Sequence, residues 1–559
     1  GLPNISIPLT EVRAKGFTLP ITLTYHAGGN KPDQHPGWVG LGWSLQAGGS
    51  IVRVVNGLKD EMSKTELSPN VGEVDYLSHI DEVQTETDWE EGDNLYTKTH
   101  NPNGLSLIDY SPDEYIINAP GIHASFYITG KNQITVVAKD ESAIELERCD
   151  VVESSGSTLM EMYPGKHPKK IEANRFRYIR SFIIRDKNGN RYIFGGNDSA
   201  IEYSVVQKAS PRYTMSGEMY NMSVLNNWDN VVATANSWML TKIERADGEI
   251  ITFEYEHNGV PIILNDIHHG YWNASNSEVG ALLDTRTFMS HGFKVNLNFH
   301  FLIPSYLKRI KCFLSGDELH FETIPTQELS YDILEDDFNT YVYADTEDSN
   351  IPRFTYADFQ KENYYMQLSR IHGVNRDIRL NFTDSLETRL KLNFVAFYSD
   401  NKEDGRYTFL YNQTPLPRYN SRMTDVWGYY NGRCYSDFFG HLGEHLDEVR
   451  VPDKDAMMAE ILTAIQYPTG GWTFYNYEPH SYVKKCLPMN FDMATCSEES
   501  ITGGLRIKSI TDCDSDKSEL HTRTFEYLEA VQEGTIQKTQ PSGILTVEIK
   551  SRMVGKYPN

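Results

Sequence analysis

His441-Leu442-Gly443-Glu444-His445 matches the H-x-x-E-H spacing in which two histidines and a later carboxylate hold Zn²⁺ while the glutamate serves as base. That chemistry needs a helix to bring both imidazoles to one side of the metal. Here Gly443 interrupts the motif and Phe438-Phe439-Gly440 before it reads as a turn, so the residues are read as a chance match. Asp512-Cys513-Asp514-Ser515-Asp516 opens like a calcium loop, but Lys517 stands where glycine is required and Arg523 where glutamate is required. A polar hairpin turn is expected there instead. His268-His269 lacks a spaced third ligand, and Asp284-Thr285-Arg286 lacks the glycine of an aspartic-protease loop. No phosphate-cradling loop, nucleophile elbow or dinucleotide fingerprint occurs. The sequence therefore assigns no catalytic, cofactor-binding or metal residue, and the expectation is a protein that is not an enzyme.

The elements point to sheets. Gly37-Trp38-Val39-Gly40-Leu41-Gly42-Trp43-Ser44-Leu45-Gln46-Ala47-Gly48-Gly49-Ser50-Ile51-Val52-Arg53 mixes glycines with two tryptophans, the composition of strands that bend sharply around buried indoles. Before it, Ile5 to Tyr25 alternates apolar and polar residues around Pro8 and Pro20, as short antiparallel strands do. Ile51 to Val55 then forms a strand that closes in an Asn56-Gly57 turn. Residues from Asp60 to Asp113, including Glu86-Thr87-Asp88-Trp89-Glu90-Glu91, read as an acidic surface excursion. Strand-like runs return at Tyr115–Ile117, Ser125–Ile128 and Ile134–Val137.

From Arg177 a hairpin recurs. Ser181-Phe182-Ile183-Ile184 crosses an Asn188-Gly189 turn to Tyr192-Ile193-Phe194. Leu240–Ile243 leads through Asp247-Gly248 to Ile251–Tyr255, Leu307–Ile310 through Gly316 to Leu319–Phe321, and Leu368–Ile371 through Asn375 to Ile378–Phe382. Leu462–Ile465 leads through Gly470-Gly471 to Trp472–Phe474, and a looser copy runs from Leu505–Ile510 to Thr524–Tyr527. The copies are unevenly spaced, so no fixed-period solenoid is implied. Isolated hairpins are marginal in water, and lateral joining into a large curved antiparallel sheet follows. Leu-x-x-Ile puts its two side chains on opposite faces of a regular strand, so either both faces are partly buried or a bulge intervenes. Pro452 to Glu460 is read as one or two helical turns, and Tyr331 to Asp348 as an acidic helix or loop.

Composition agrees with such a fold. The chain has 559 residues, 39% apolar, with 34 tyrosines against 24 phenylalanines, which suits broad half-exposed sheets. A formal charge of −25 opposes binding to nucleic acid or an anionic membrane. No apolar run is long enough for a transmembrane helix. The six cysteines form no Cys-x-x-Cys pair; free thiols are expected, with Cys486–Cys496 the one plausible disulfide.

Asn4–Leu9, Leu19–Gly29 and Val39–Leu45, in this order and spacing, resemble the opening of bacterial YD-repeat (Rhs-type) proteins, and the last block resembles SpvB-like openings. Lys187–Gly196, Thr424-Asp425-Val426-Trp427-Gly428-Tyr429-Tyr430-Asn431-Gly432, Tyr467–Gly471 and Gly503–Ile507 are similar to later landmarks of the same family. The resemblance implies an all-β, shell-like sheet with minor helices in insertions, divided into an SpvB-like region with an acidic insertion (1–176) and a divergent YD-repeat-like hairpin region (177–559). It also implies an exported scaffold, secreted or at the cell surface, whose partners are protein or other segments of its own polypeptide. Regular Tyr-Asp repeats and the family's aspartyl self-cleavage site are missing, so neither encapsulation nor self-processing carries over. A carbohydrate-binding or adhesion module is the alternative, marked by a shallow groove with at least two exposed aromatics. A zinc hydrolase at His441, Glu444 and His445 comes third.

Overall fold

A computed structural model of the protein describes residues 1–62, 76–77, 80, 111–130, 132–137, 143–154, 176–207, 212–213, 219–220, 231–258, 262–270, 294–327, 365–419, 421, 423–433, 450–486, 493–533, 536–541 and 544–545. The fold is all-β, and turn chemistry explains most of its hairpins. Arg177–Asp186 and Arg191–Gly195 pair with Ile184 opposite Tyr192, across a turn in which Gly189 takes φ +80°. The Asp186 carboxylate fastens that turn by accepting the amides of Asn188 (2.8 Å) and Asn190 (2.9 Å). The other expected hairpins form as well, with Ile243 opposite Ile251, Ile310 opposite Leu319, Ile371 opposite Ile378, Ile465 opposite Thr473 and Ile510 opposite Arg523. Among the hairpins with no counterpart in the sequence analysis, Thr388–Ser399 and Lys402–Tyr411 join through Asp400-Asn401, with φ +50° and +62°, and Leu528–Glu533 pairs with Ile536–Pro541.

The hairpins join side by side. In order of pairing, the main ladder is Ile144–Glu153, Arg177–Asp186, Arg191–Gly195, Val231–Glu244, Ile250–Glu256, Tyr306–Cys312, Glu318–Pro325 and Met366–Gly373. It continues through Arg376–Ser385, Thr388–Ser399, Lys402–Tyr411, Leu462–Gln466, Trp472–Cys486, Met493–Cys513 and Glu519–Thr524, every neighbour antiparallel. A second ladder runs Gln133–Val137, Ile122–Gly130, Glu114–Ala119, Ser50–Val54, Val231–Glu244, Ile201–Gln207, Lys294–Ile303 and Ile262–Gly270. Val231–Glu244 belongs to both: its start and middle pair within the second ladder, and its end, from Leu240, within the main one. Ile5–Ala14, Phe17–Tyr25 and Trp43–Gln46 form a separate three-stranded sheet.

The Leu-x-x-Ile spacing resolves into bulges. Every second strand of the main ladder carries one extra residue against the strand before it: Arg180, Thr241, Lys308, Ser369, Asn393, Thr463 and Lys508. Each extra residue lies just after the first aliphatic residue of an aliphatic-x-x-apolar quartet, so both ends of the quartet face the core. Leu240 and Ile243, Leu368 and Ile371, and Leu462 and Ile465 are all buried. Hydroxyls recur at the bulges because the interrupted ladder leaves carbonyls to satisfy. Ser369 donates to the Glu322 carbonyl at 2.9 Å and Thr463 to that of Leu410 at 3.1 Å. Each bulge bends its strand, and repeating the device along the ladder curves the sheet. Thr463→Val should cost about 0.5–1 kcal/mol by removing one such bond; a urea melt showing no loss would mean that water serves the carbonyl equally well.

Other expectations need correcting. The excursion from Asp60 to Asp113 is not superficial at its ends, because Asp60, Glu61 and Asp113 are wholly buried. Pro452 to Glu460 does hold one helical turn before the strand Leu462–Gln466, as expected, in 3₁₀ form at Ala456–Met458 and just after Asp455, whose side chain forms no cap. In the backbone register Cys486 lies opposite Met493 and not Cys496. Cys149, Cys312 and Cys513 are free thiols. Tyr331 to Asp348 lies outside the described residues.

Candidate functional site

The glycine-rich N-terminal segment is where distant strands converge. Backbone amides of the main ladder donate to its carbonyls: Leu240 to Gly49 (2.8 Å), Leu368 to Trp38 (2.8 Å), Leu505 to Gly28 (3.0 Å) and Ile507 to Gly1 (3.0 Å). Leu240, Leu368 and Ile507 are leading residues of bulged quartets. A fourth, Leu462, donates its amide to the Tyr25 hydroxyl at 3.0 Å. In the other direction, the Leu41 amide reaches the Leu390 carbonyl at 2.8 Å. The segment thus acts as a spine that supplies acceptors where the ladder is interrupted.

Glycine is required where this contact is closest. Gly40 has φ +96°, and a Cβ there would lie 2.9 Å from the Leu392 nitrogen; Gly42 has φ +77°, with a Cβ 2.6 Å from the Tyr25 ring. Trp43 is buried against Tyr25 (5.1 Å) and Phe409 (4.7 Å), and its indole N–H donates to the Tyr411 hydroxyl at 2.8 Å. The expected pairing of glycine turns with a buried indole is realised, although Trp38 is only half-buried against the core.

A second cluster, unforeseen from the sequence, lies beside the strand common to both ladders. Arg53 on Ser50–Val54 pairs with Glu61 (3.0 Å) and faces Asp113 (3.6 Å), and all three side chains are 0% exposed. Its guanidinium lies over the rings of Trp238 (4.9 Å) and Tyr115 (5.6 Å). Asp60 and Asp113 exchange reciprocal bonds, each carboxylate accepting the other's amide, at 2.9 and 3.1 Å. The Tyr115 hydroxyl donates to Asp60 at 3.0 Å. Burial, then the charge of Asp113, pushes the Asp60 carboxyl up to about 8. Burial also raises Asp113, to about 6, against the opposing pull of Arg53. Arginine at 53 and acids at 60, 61 and 113 are too widely separated to form a motif.

The loop Thr424–Gly432 is built on buried Asp425, whose Oδ1 accepts the amides of Trp427 and Tyr429, both at 2.9 Å. Burial raises this carboxyl too. Gly503 packs closely on the loop: a Cβ there would lie 2.6 Å from the Tyr429 ring and 2.8 Å from Asp425 Oδ2.

The chemical motifs are not brought together. His441, Glu444 and His445 lie outside the described residues, as do Asp284 to Arg286. His268 and His269 sit on Ile262–Gly270 opposite Asn296 and Val295. Asp512 to Asp516 leads into the expected hairpin turn, with Lys517 at φ +66° and its amide bonded to the Asp514 carbonyl at 2.9 Å. Among the described residues no three metal-ligating side chains converge. An open groove of about 480 Å³ is lined by Glu256, Lys308, Phe321 and Glu322 among others. Among its described lining residues the one aromatic, Phe321, is buried, and no tryptophan among the described residues is exposed, so these residues offer no exposed aromatic platform of the kind the carbohydrate alternative expects.

No family model matches the chain, and no curated protein matches it. Among solved structures it is similar to the TcdB2-TccC3 crystal structure, at 12% identity over 89% of this chain and 19% of that one, with a TM-score of 0.30. It is similar to the Photorhabdus luminescens Tc holotoxin pore at 12% identity, covering 94% of this chain and 22% of that one, with a TM-score of 0.29. The N-terminal domain of the effector protein SpvB from Salmonella typhimurium strain LT2 is similar at 12% identity, over 74% of this chain and 96% of that one, with a TM-score of 0.24. The chain spans about a fifth of the length of the first two.

Proposed function

We propose that this chain is a non-enzymatic, exported scaffold, the N-terminal part of a YD-repeat (Rhs-type) protein, acting at the cell surface or in the secreted fraction. The observation that carries the reading is the spine: carbonyls at Gly1, Gly28, Trp38 and Gly49 receive amides from strands spread between Leu240 and Ile507. Such a fold commits its polar backbone groups to its own assembly. The outer surface is tied up in mutual ion pairs, such as Arg191 with Glu147 and Glu244, and Arg370 with Glu322 and Asp377. What remains for partners is a wide, acidic, rigid surface suited to other proteins or to further segments of the same polypeptide.

The test has two arms. Residues 1–49 and 50–559, co-expressed as separate pieces, should copurify as a stoichiometric complex with the β-rich circular dichroism of the intact chain; failure to associate would remove the spine. In parallel, the purified intact chain should carry no stoichiometric zinc and retain no glycan on an array. Zinc that disappears in His441→Ala would replace the scaffold by a hydrolase, and saturable glycan binding would replace it by an adhesion module.

A further inference from the structure

The Arg53 cluster is out of balance. Three carboxyls, on Asp60, Glu61 and Asp113, surround one guanidinium in a site where all four residues are buried. Among the described residues the only other buried cation beside it is Lys59, which is bonded to the Arg177 carbonyl, and ionising all three carboxyls in such a place would be costly, so the folded chain favours keeping a proton there. The reciprocal amide bonds set Asp60 and Asp113 together, and Tyr115 donates to Asp60. Those donors favour the ionised carboxylates, but burial and the charge of Asp113 set beside Asp60 outweigh them, and this places the proton on the pair.

The position gives the proton a consequence. Arg53 stacks on Trp238, which lies opposite Ile51 in the second ladder, while the chain enters the main ladder two residues later at Leu240. Trp238 also reaches back into the main ladder, donating its indole N–H to the Ile179 carbonyl at 2.6 Å, beside the bulge at Arg180. Both ladders are therefore fastened through one indole, and the guanidinium on that indole is held by the carboxyls.

We propose that this cluster is a protonation site controlling the joint between the two ladders: the joint is firm while the aspartate pair keeps its proton and slackens when the proton is lost to solvent. Among the described residues, the groups around the pair come from four sources. From its own loop come Lys59, which donates to the Arg177 carbonyl at 2.9 Å, and Glu61. From Glu114–Ala119 comes Tyr115, held by burial well above the ordinary phenol range. From Ile144–Glu153 come Cys149, whose thiol burial also raises, and Asp150, bonded to Ser181. Tyr76 faces Asp60 as well, with its own value raised chiefly by burial. These shifts leave the aspartate pair to titrate near neutrality.

The sign follows from linkage. Both aspartates are raised above their unfolded value of 3.8, so their contribution is fully present below that pH. It is lost as pH rises through the folded values of about 6 for Asp113 and about 8 for Asp60. Between these two, the proton held by the pair makes the folding constant fall about tenfold per pH unit.

The experiment compares urea unfolding of the intact wild-type chain and Asp60→Asn at pH 6, 7 and 8. Asparagine keeps an acceptor for the Asp113 amide and carries no titrating proton. The expected result is a slope about tenfold per pH unit shallower in Asp60→Asn, and equal slopes would overturn the proposal. Should Asp60→Asn fail to fold, infrared spectra of the wild type decide: a protonated-carboxyl band should be present at pH 7 and bleach above pH 9. Its absence at pH 7 would overturn the assignment. Hydrogen exchange at the Ile51 and Trp238 amides, corrected for intrinsic rate, should accelerate over that range more than at the Ile465–Thr473 hairpin; equal acceleration would refute a role at the joint.

Discussion

Gly42→Val should destabilise the chain by on the order of 4 kcal/mol, and Gly196→Ala by only about 1 kcal/mol. Both glycines have positive φ, +77° at Gly42 and +88° at Gly196, so each substitution forces a side chain into the left-handed region. Their surroundings differ. A Cβ at Gly196 meets nothing within 4 Å, whereas one at Gly42 would lie 2.6 Å from the Tyr25 ring. That ring cannot yield, since it packs on Trp43 at 5.1 Å and its hydroxyl receives the Leu462 amide at 3.0 Å. Valine therefore adds overpacking and a broken spine contact to backbone strain. Urea midpoints at constant slope measure both, and equal losses would mean that the spine is not held where the geometry puts it.

The same contrast shows what the sequence could reveal. Several turns are legible where a glycine or asparagine sits between β-branched runs, because positive φ is chemically selective: Gly189, Gly248, Gly316 and Asn375 all adopt it. The Thr388–Tyr411 hairpin escaped notice because its turn uses Asp400 and Asn401, with no glycine to mark it. The aliphatic-x-x-aliphatic spacing was visible with its two explanations, and only the registers select the bulge. The spine was legible as a dense run of glycine and tryptophan, but its partners were not. Hydrogen bonds between Trp38 and Leu368, or between Gly28 and Leu505, depend on chain folding across hundreds of residues and leave no periodicity to read. The charge cluster was misread for a related reason. An acidic stretch ordinarily faces solvent, and only the approach of Arg53 and Trp238 turns its two ends inward.

Trp238→Ala should be among the most damaging single changes, at about 3–5 kcal/mol from lost burial and the cavity left behind. The indole is fully buried and meets Phe182 edge-on at 4.9 Å, Tyr115 at 6.1 Å and the Arg53 guanidinium at 4.9 Å. Trp238→Phe separates packing from polarity. It keeps an aromatic ring in the site but removes the donor to the Ile179 carbonyl, a loss of about 1–3 kcal/mol where that carbonyl finds no other partner. Alanine removes both and also uncovers Arg53, which then keeps Glu61, Asp113 and the Tyr115 ring but loses the indole. The expected order is wild type, then phenylalanine, then alanine, with the alanine variant also losing protection at the Ile51 and Ile179 amides together, since one side chain fastens both ladders. If phenylalanine and alanine cost the same, the indole N–H would be the whole of the joint and the ring only its carrier; if neither costs more than about 1 kcal/mol, the two ladders are held together elsewhere.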